Sequence, residues 1–274
     1  MSTSTVTLTR KQWQSFCKTL QGLARQCNDV VINNGIIRQR SNGSAAIFEV
    51  DLRPVVGELT LTISYFKEKL KTLKIFKSGV TIELGEKEAI FSDGISSLGI
   101  LNPDRDYLDN EFMSREELES SYPSVFQATS LLIRNRVEKK MIKRIRKALS
   151  KLKASNCKIV YKNRFASLIV EKGMTKFKKS ELCVDMIREI PLFKPTIGYT
   201  TLSPLPYQSL DFEGDTRWEV YTVGKSFFSY IYGRIGDITA TIYTRGELKN
   251  DEPEPPPQPE EIPQEEVEEW ETEG

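Results

Sequence analysis

The chain has 274 residues with 39 Lys/Arg, 38 Asp/Glu, no histidine and four cysteines. This length allows one large domain or two medium ones with a real core. The absent histidine removes the commonest general base and zinc ligand, and the cysteines (Cys17, Cys27, Cys157, Cys183) form no CxxC pair, so they read as reduced thiols. No run of 18 apolar residues predicts a membrane helix. The opening MSTSTVTLTRKQW lacks the apolar segment of a secretory signal, and the expected location is cytoplasmic, the host cytoplasm if the source is viral.

The near-neutral total hides a split. Residues 251–274 hold eleven acids and no base, so 27 acids face all 39 basic residues in the remainder, a body charge of +12. A basic body of this kind seeks a polyanion.

In chain order, Thr5–Thr9 alternates like a strand, and a helix follows from about Arg10 to Cys27. Its apolar stripe is Trp13, Phe16, Cys17, Leu20, Leu23 and Cys27, with Lys11, Gln14, Lys18, Gln21 and Arg25 opposite. Val30–Arg40 reads as a hairpin turning at Asn33-Asn34-Gly35, and Ala45–Leu52 as a strand. Ser64 is the expected N-cap of a second helix, with Phe66, Leu70 and Leu73 inward and Lys67, Lys71 and Lys74 outward. Strands are expected at Val80–Leu84, Ala89–Phe91 and Ser97–Leu101, separated by glycine-bearing turns. Residues 102–124 carry seven acids and two bases between prolines and read as an acidic connector.

The second half repeats the plan: a strand at Val125–Ser130, a helix at 134–153, then strands at Lys158–Tyr161, Phe165–Glu171 and Leu182–Ile187. Further strands are expected at Tyr199–Leu202, Tyr207–Phe212, Trp218–Val223 and Ile238–Thr244, with a short aromatic helix at Lys225–Tyr232. Gly224-Lys225-Ser226 is no phosphate loop, because Glu219 stands where the upstream glycine is required. The tail has six prolines and almost no aliphatic residues, so disorder is expected. Trp270 is its one large aromatic residue and the candidate partner contact; the tail reads as a short recognition segment, as a polyanion that competes with DNA for the basic face, or as merely solubilising.

The segment 134–153, RNRVEKKMIKRIRKALSKLK, is the strongest signal, with ten Lys/Arg against Glu138. Val137, Met141, Ile145, Ala148, Leu149 and Leu152 recur at steps of three and four. Arg136, Lys139, Lys140, Lys143, Arg144, Lys147 and Lys151 are its candidate polyanion contacts. Solvated helix faces usually mix signs, because like-charged i,i+4 pairs cost about 0.2–0.5 kcal/mol each. This face has little such relief. A phosphate backbone is the favoured partner; a solvated face and a membrane or acidic-protein surface are the other readings.

The duplicated pattern resembles DNA sliding clamps, the polymerase processivity factors, in their two-domain bacteriophage or eukaryotic form. The resemblance rests on LTRKQWQSFCKTLQGLARQCNDVVINNGIIRQRS, IFEVDL, SYFKEKLKTLKIFKSGVTIEL and SSLGIL in the first half. In the second it rests on RNRVEKKMIKRIRKALSKLK, KIVYKNRFASLIVEK and GKSFFSYIYGRIGDITATIYT. It implies an α+β fold of two tandem clamp-like domains, each with antiparallel sheets on one side and two basic-faced helices on the other. The expected division is 1–101, a connector at 102–124, 125–248 and the tail at 249–274. It also implies a homo-oligomeric ring of three chains around duplex DNA, with Lys11, Lys18, Arg25, Lys67, Lys71, Lys74 and the cations of 134–153 facing the phosphates. The implied partners are a DNA polymerase and a clamp loader or transcription machinery, near a pocket beneath the connector. No cofactor and no catalytic residue are implied. The alternative is a clamp-fold or unrelated protein that grips DNA without encircling it, in replication or late transcription; a third is a metal-dependent nuclease.

Overall fold

The computed structural model describes residues 4–42, 46–101, 112–123, 131–137, 139–140, 143, 147, 151, 156–162, 165–172, 175–183, 185–186, 196–201, 210–223 and 226–249. Strand β1 (Ser4–Leu8) leads into helix α1 (Arg10–Leu23). Thr9 caps α1 through a capping box: its hydroxyl accepts from the Gln12 N–H while Gln12 Oε1 accepts from the Thr9 N–H at 2.9 Å. All six residues of the expected apolar stripe are buried. Each large side chain contributes roughly 1.5–3 kcal/mol by leaving water. Trp13 also donates its indole N–H to the Phe76 carbonyl and packs against Phe16, Phe76 and Phe91.

Strands β2 (Val30–Ile32) and β3 (Ile36–Arg40) flank the expected turn, where Asn34 and Gly35 both have positive φ. The turn forms, but only the bridge Asn33–Ile36 links the two arms. β2 pairs instead with β5 (Leu61–Ile63), and β3 pairs with β4 (Ala46–Asp51). The short helix α2 (Arg53–Val56) follows β4, with proline in its first turn. Helix α3 (Phe66–Leu73) starts at Tyr65, not Ser64; Tyr65 adopts the left-handed conformation, and no side chain caps the helix. Strands β6 (Val80–Leu84), β7 (Glu88–Ser92) and β8 (Ser97–Leu101) complete the sheet β1-β6-β7-β8.

Within the connector, helix α4 (Arg115–Ser121) has a second capping box, from Ser114 and Glu117. Strand β9 (Leu131–Val137) follows. It corrects the expected helix start at Arg134: residues 134–137 are extended and pair with β15 (Glu213–Val223). Val137 therefore belongs to the strand, whereas Lys139, Lys140, Lys143, Lys147 and Lys151 are helical. The expected strand Val125–Ser130 lies outside the described residues. Strands β10 (Asn156–Lys162), β11 (Phe165–Lys172), β12 (Thr175–Cys183), β13 (Asp185–Met186) and β14 (Thr196–Thr201) follow. Leu210–Phe212 is not a strand, contrary to expectation.

The second correction is larger. The aromatic segment expected as a helix is strand β16 (Ser226–Ile235), paired along its length with β15 and with β17 (Ile238–Lys249). Its period is two: Ile231 is buried while Tyr230 and Tyr232 stand half-buried on the other face, stacked in parallel. β17 also pairs with β4, which joins the two halves into one sheet. The same alternation divides that sheet into two faces. Phe48, Val50, Trp218, Ile231, Ala240 and Ile242 share the main core with α1 and α3. Glu49, Asp51, Arg217, Glu219, Tyr230, Tyr232, Thr241 and Tyr243 lie on the opposite face.

Candidate nucleic-acid interface

Lys11 is exposed on α1, Lys67 and Lys71 on α3, Lys74 at the C-cap of α3, and Arg25 in the turn after α1, which ends at Leu23 and not at the expected Cys27; Lys18 is half-buried. The helices pack side by side, with Lys74 Nζ donating to Gln21 Oε1 at 2.9 Å. Lys74 also lies close enough to the buried Cys17 thiol to oppose, weakly, the burial that pushes that thiol up to about 12. Cys17 is thus an inert part of the core.

A carboxylate connects α1 to the second half. Lys18 Nζ is 2.8 Å from Glu213 Oε1 and 3.7 Å from Asp211 Oδ2. The Gly236 N–H donates to the other Glu213 oxygen at 3.1 Å. The Lys18 hydrogen bond holds the Glu213 carboxyl below the usual carboxylate range; burial opposes this, and the Gly236 N–H and the charges of Lys18 and Lys139 assist. Lys139 therefore lies in the field of the carboxylate that Lys18 grips. α1, α3 and the helical lysines from Lys139 onward each present exposed cations. Lys139, Lys140, Lys143, Lys147 and Lys151 are all exposed.

Two expected contacts are placed differently. Arg136 is on β9 and donates to Asp215 Oδ2 at 2.7 Å while remaining 82% exposed. It flanks the cationic face as an ion-paired strand residue. Lys18 is engaged with Glu213. Arg144 and Trp270 lie outside the described residues. Sequence reading missed the acidic residues Asp211, Glu213 and Asp215, which sit between the cationic elements; only their alternation along β15 and its approach hinted at a shared face.

The opposite face of the sheet carries a second site. Arg38 donates to Glu49 Oε1 at 2.8 and 3.1 Å, Arg115 donates to the same carboxylate at 3.1 Å, and Tyr243 donates to Glu49 Oε2 at 2.9 Å. Nearby, Arg217 and Tyr221 both donate to the buried Glu219. Burial, with the nearby Glu219 charge, pushes the Tyr230 hydroxyl up to about 12. These groups line a groove of about 540 Å³. Helix α4 closes one side. Its Leu118 and Tyr122 pack on Ile47 and Tyr243, and Arg245 stacks over Tyr122 and Phe228 at 5.6 Å from each ring centre. The sequence reading named none of these lining residues as a site, and it placed Tyr230 and Tyr232 on a short helix.

Among the described residues no group of three His, Cys, Asp or Glu could hold a metal ion, and no helix is long and apolar enough to cross a membrane. No family model matches the sequence, and no curated protein matches it. Solved structures do. Proliferating Cellular Nuclear Antigen from Entamoeba histolytica aligns over 89% of this chain and 98% of its own, at 12% identity and TM-score 0.61. The PCNA2-PCNA3 complex from Sulfolobus tokodaii aligns over 89% and 99%, at 7% identity and TM-score 0.62. PCNA from Thermococcus kodakaraensis aligns over 89% and 99%, at 11% identity and TM-score 0.59. The chain has the two-domain sliding-clamp fold. At these identities the likeness is one of architecture, spanning nearly the whole of each neighbour.

Proposed function

We propose that this chain is a sequence-independent clamp for duplex DNA that tethers a polymerase or another DNA-acting protein. The reading is supported by the exposed lysines of α1, α3 and the helical residues 139–151, with Lys74 joined to Gln21 and Glu213 gripped by Lys18 in the field of Lys139. Lysines present point charges on long stems, so they contact phosphates without reading bases. Such a face holds a duplex while letting it move along. In this reading the chain works as a scaffold, and the polar clusters among the described residues are ion pairs and hydrogen-bond networks.

In this reading three chains close a ring, with 1–101 and 125–248 as the two domains, 102–124 as the connector and 249–274 as the tail. Strand β8 ends one sheet and β12 ends the other path of the described strands, so each chain presents two sheet ends to neighbours. The Sulfolobus neighbour is itself a complex of two related chains. Contacts to DNA are then Lys11, Arg25, Lys67, Lys71, Lys74, Lys139, Lys140, Lys143, Arg144, Lys147 and Lys151, with Lys18 and Arg136 held in reserve by their carboxylates.

The test combines native mass, measured with and without duplex, with retention on circular and open linear DNA. A ring gives a trimer mass and salt-resistant retention on closed circles, lost when the circle is cut. A mass of one chain under every condition overturns the ring. Stable binding to short open duplexes, weakening by about 0.9 log unit per phosphate contact for each log unit of salt, identifies a gripping protein instead.

A further inference from the structure

We propose that Glu213 stands in for a DNA phosphate on Lys18, so that Lys18 alternates between this carboxylate and the duplex as the chain moves along it. The inference rests on the duplex-clamp reading above and says how such a face keeps its hold loose. Helix α1 carries a polar row in which Lys11, Gln14, Lys18 and Gln21 follow one another at steps of three and four. Lys11, Gln14 and Gln21 are exposed, whereas Lys18 is half-buried. Two carboxylates stand beside it. Glu213 Oε1 lies 2.8 Å from Lys18 Nζ, and Asp211 Oδ2 lies 3.7 Å from it. A carboxylate oxygen at hydrogen-bond distance offers an ammonium what a phosphate oxygen offers, a charged acceptor.

The two partners differ in freedom. Glu213 is fixed from the sheet: its backbone pairs with Arg234, and its other carboxylate oxygen accepts the Gly236 N–H at 3.1 Å. The β16–β17 turn that carries Gly236 lies against α1, since a Cβ at Gly236 would come within 2.4 Å of Ser15 Oγ. Lys18 is a single ammonium on a long, flexible stem. Lys18 is therefore the partner that moves. Its ion pair is partly exposed, 35% for Lys18 and 45% for Glu213, and such pairs are weak. Exchanging one exposed anionic acceptor for another then costs little. Glu213 acts in two ways. It receives Lys18 whenever a phosphate leaves, which lowers the barrier to breaking that contact. Its own charge, which also feels Lys139, reduces the attraction of this region for a duplex. Glu213 is thus a positioning residue that acts through Lys18.

The experiment measures equilibrium binding of linear duplex DNA across a range of salt for the full chain, Glu213→Gln, Lys18→Gln and the double variant. Glu213→Gln is expected to bind several-fold tighter, with log K falling more steeply by about 0.9 per log unit of salt, the mark of one added phosphate contact. Lys18→Gln in the Glu213→Gln background is expected to remove that steepening. In the parent chain the same substitution should change the slope much less. A merely structural ion pair moves melting temperature and leaves the salt slopes alone, which overturns the proposal. Tighter binding that persists in the double variant overturns it too, because the gain then comes from lost repulsion and not from Lys18. Equal slope changes from Lys18→Gln in both backgrounds put Lys18 on phosphate throughout and likewise overturn it. If neither the parent chain nor Glu213→Gln binds duplex at low salt, the clamp reading falls together with this one. Duplex binding by the parent without coupling between Lys18 and Glu213 sinks this proposal alone.

Discussion

The Lys18–Glu213 pair ties α1 to β15. The pair is partly exposed, so its contribution is small, roughly 0.2–1 kcal/mol. Glu213 has a depressed carboxyl pKa in the folded chain. A depressed carboxylate stabilises above its unfolded pKa and loses that stabilisation as pH falls through the folded pKa. Glu213→Gln is therefore expected to be slightly less stable than wild type at neutral pH. The gap should close as pH falls below the ordinary carboxylate range, as followed by melting temperature against pH. The same variant frees Lys18 and should tighten duplex binding. Replacing Lys139, Lys143 and Lys147 by Glu should lower duplex affinity roughly 100-fold or more. The melting temperature should barely change, since all three are exposed. A large loss of stability would assign that face a structural role instead.

At the scale of elements, the joins carry more strain than the elements themselves. Tyr65 opens α3 at φ 51 and ψ 44 with its side chain 76% exposed, its N–H held by Asp29 Oδ1 at 2.8 Å. A left-handed residue with a Cβ costs about 1–2 kcal/mol. Tyr65→Gly is accordingly expected to be neutral or more stable by up to about 1 kcal/mol in urea unfolding, some of the relief being offset by chain entropy. The turn between β16 and β17 is the opposite case. Gly236 has φ +61, and a Cβ there would lie 2.4 Å from Ser15 Oγ on α1. Its N–H also holds Glu213. Gly236→Ala should cost about 1–3 kcal/mol, and it should weaken duplex binding as well, because the turn sets the spacing between α1 and the carboxylate that Lys139 borders. Loss of stability without loss of DNA binding would separate the two.

The whole molecule places its charges on two faces of one sheet. The cationic helices occupy one side and the arginine–tyrosine groove the other, with β4 and β17 pairing across the halves between them. Deletion of 251–274 tests whether the acidic tail competes with DNA for the cationic helices. A tail over the helices competes with DNA, and its removal would tighten duplex binding. Duplex affinity unchanged by the deletion removes that role. Equilibrium binding of the truncated and full chains at 0.15 M salt decides it.

The sequence by itself determined the amphipathic helices and the fold class. The stripe Trp13–Phe16–Leu20–Leu23 and its basic reverse are periodic, and a 3.6-residue period needs no knowledge of the partner. The exposure of Lys139, Lys143 and Lys147 was legible for the same reason. The tertiary structure decided what local pattern left degenerate. Phe227–Tyr232 satisfies a short helix or a strand equally, and pairing with both β15 and β17 settles it as extended. Arg134–Val137 reads as the start of a basic helix, yet the open ladder of β15 takes those backbone groups into a strand. The groove on the outer face was hidden because Arg38, Glu49, Arg217, Glu219 and Tyr243 come from four strands far apart in sequence. Their meeting depends on register, and register is fixed only when the buried face of each strand finds the common core.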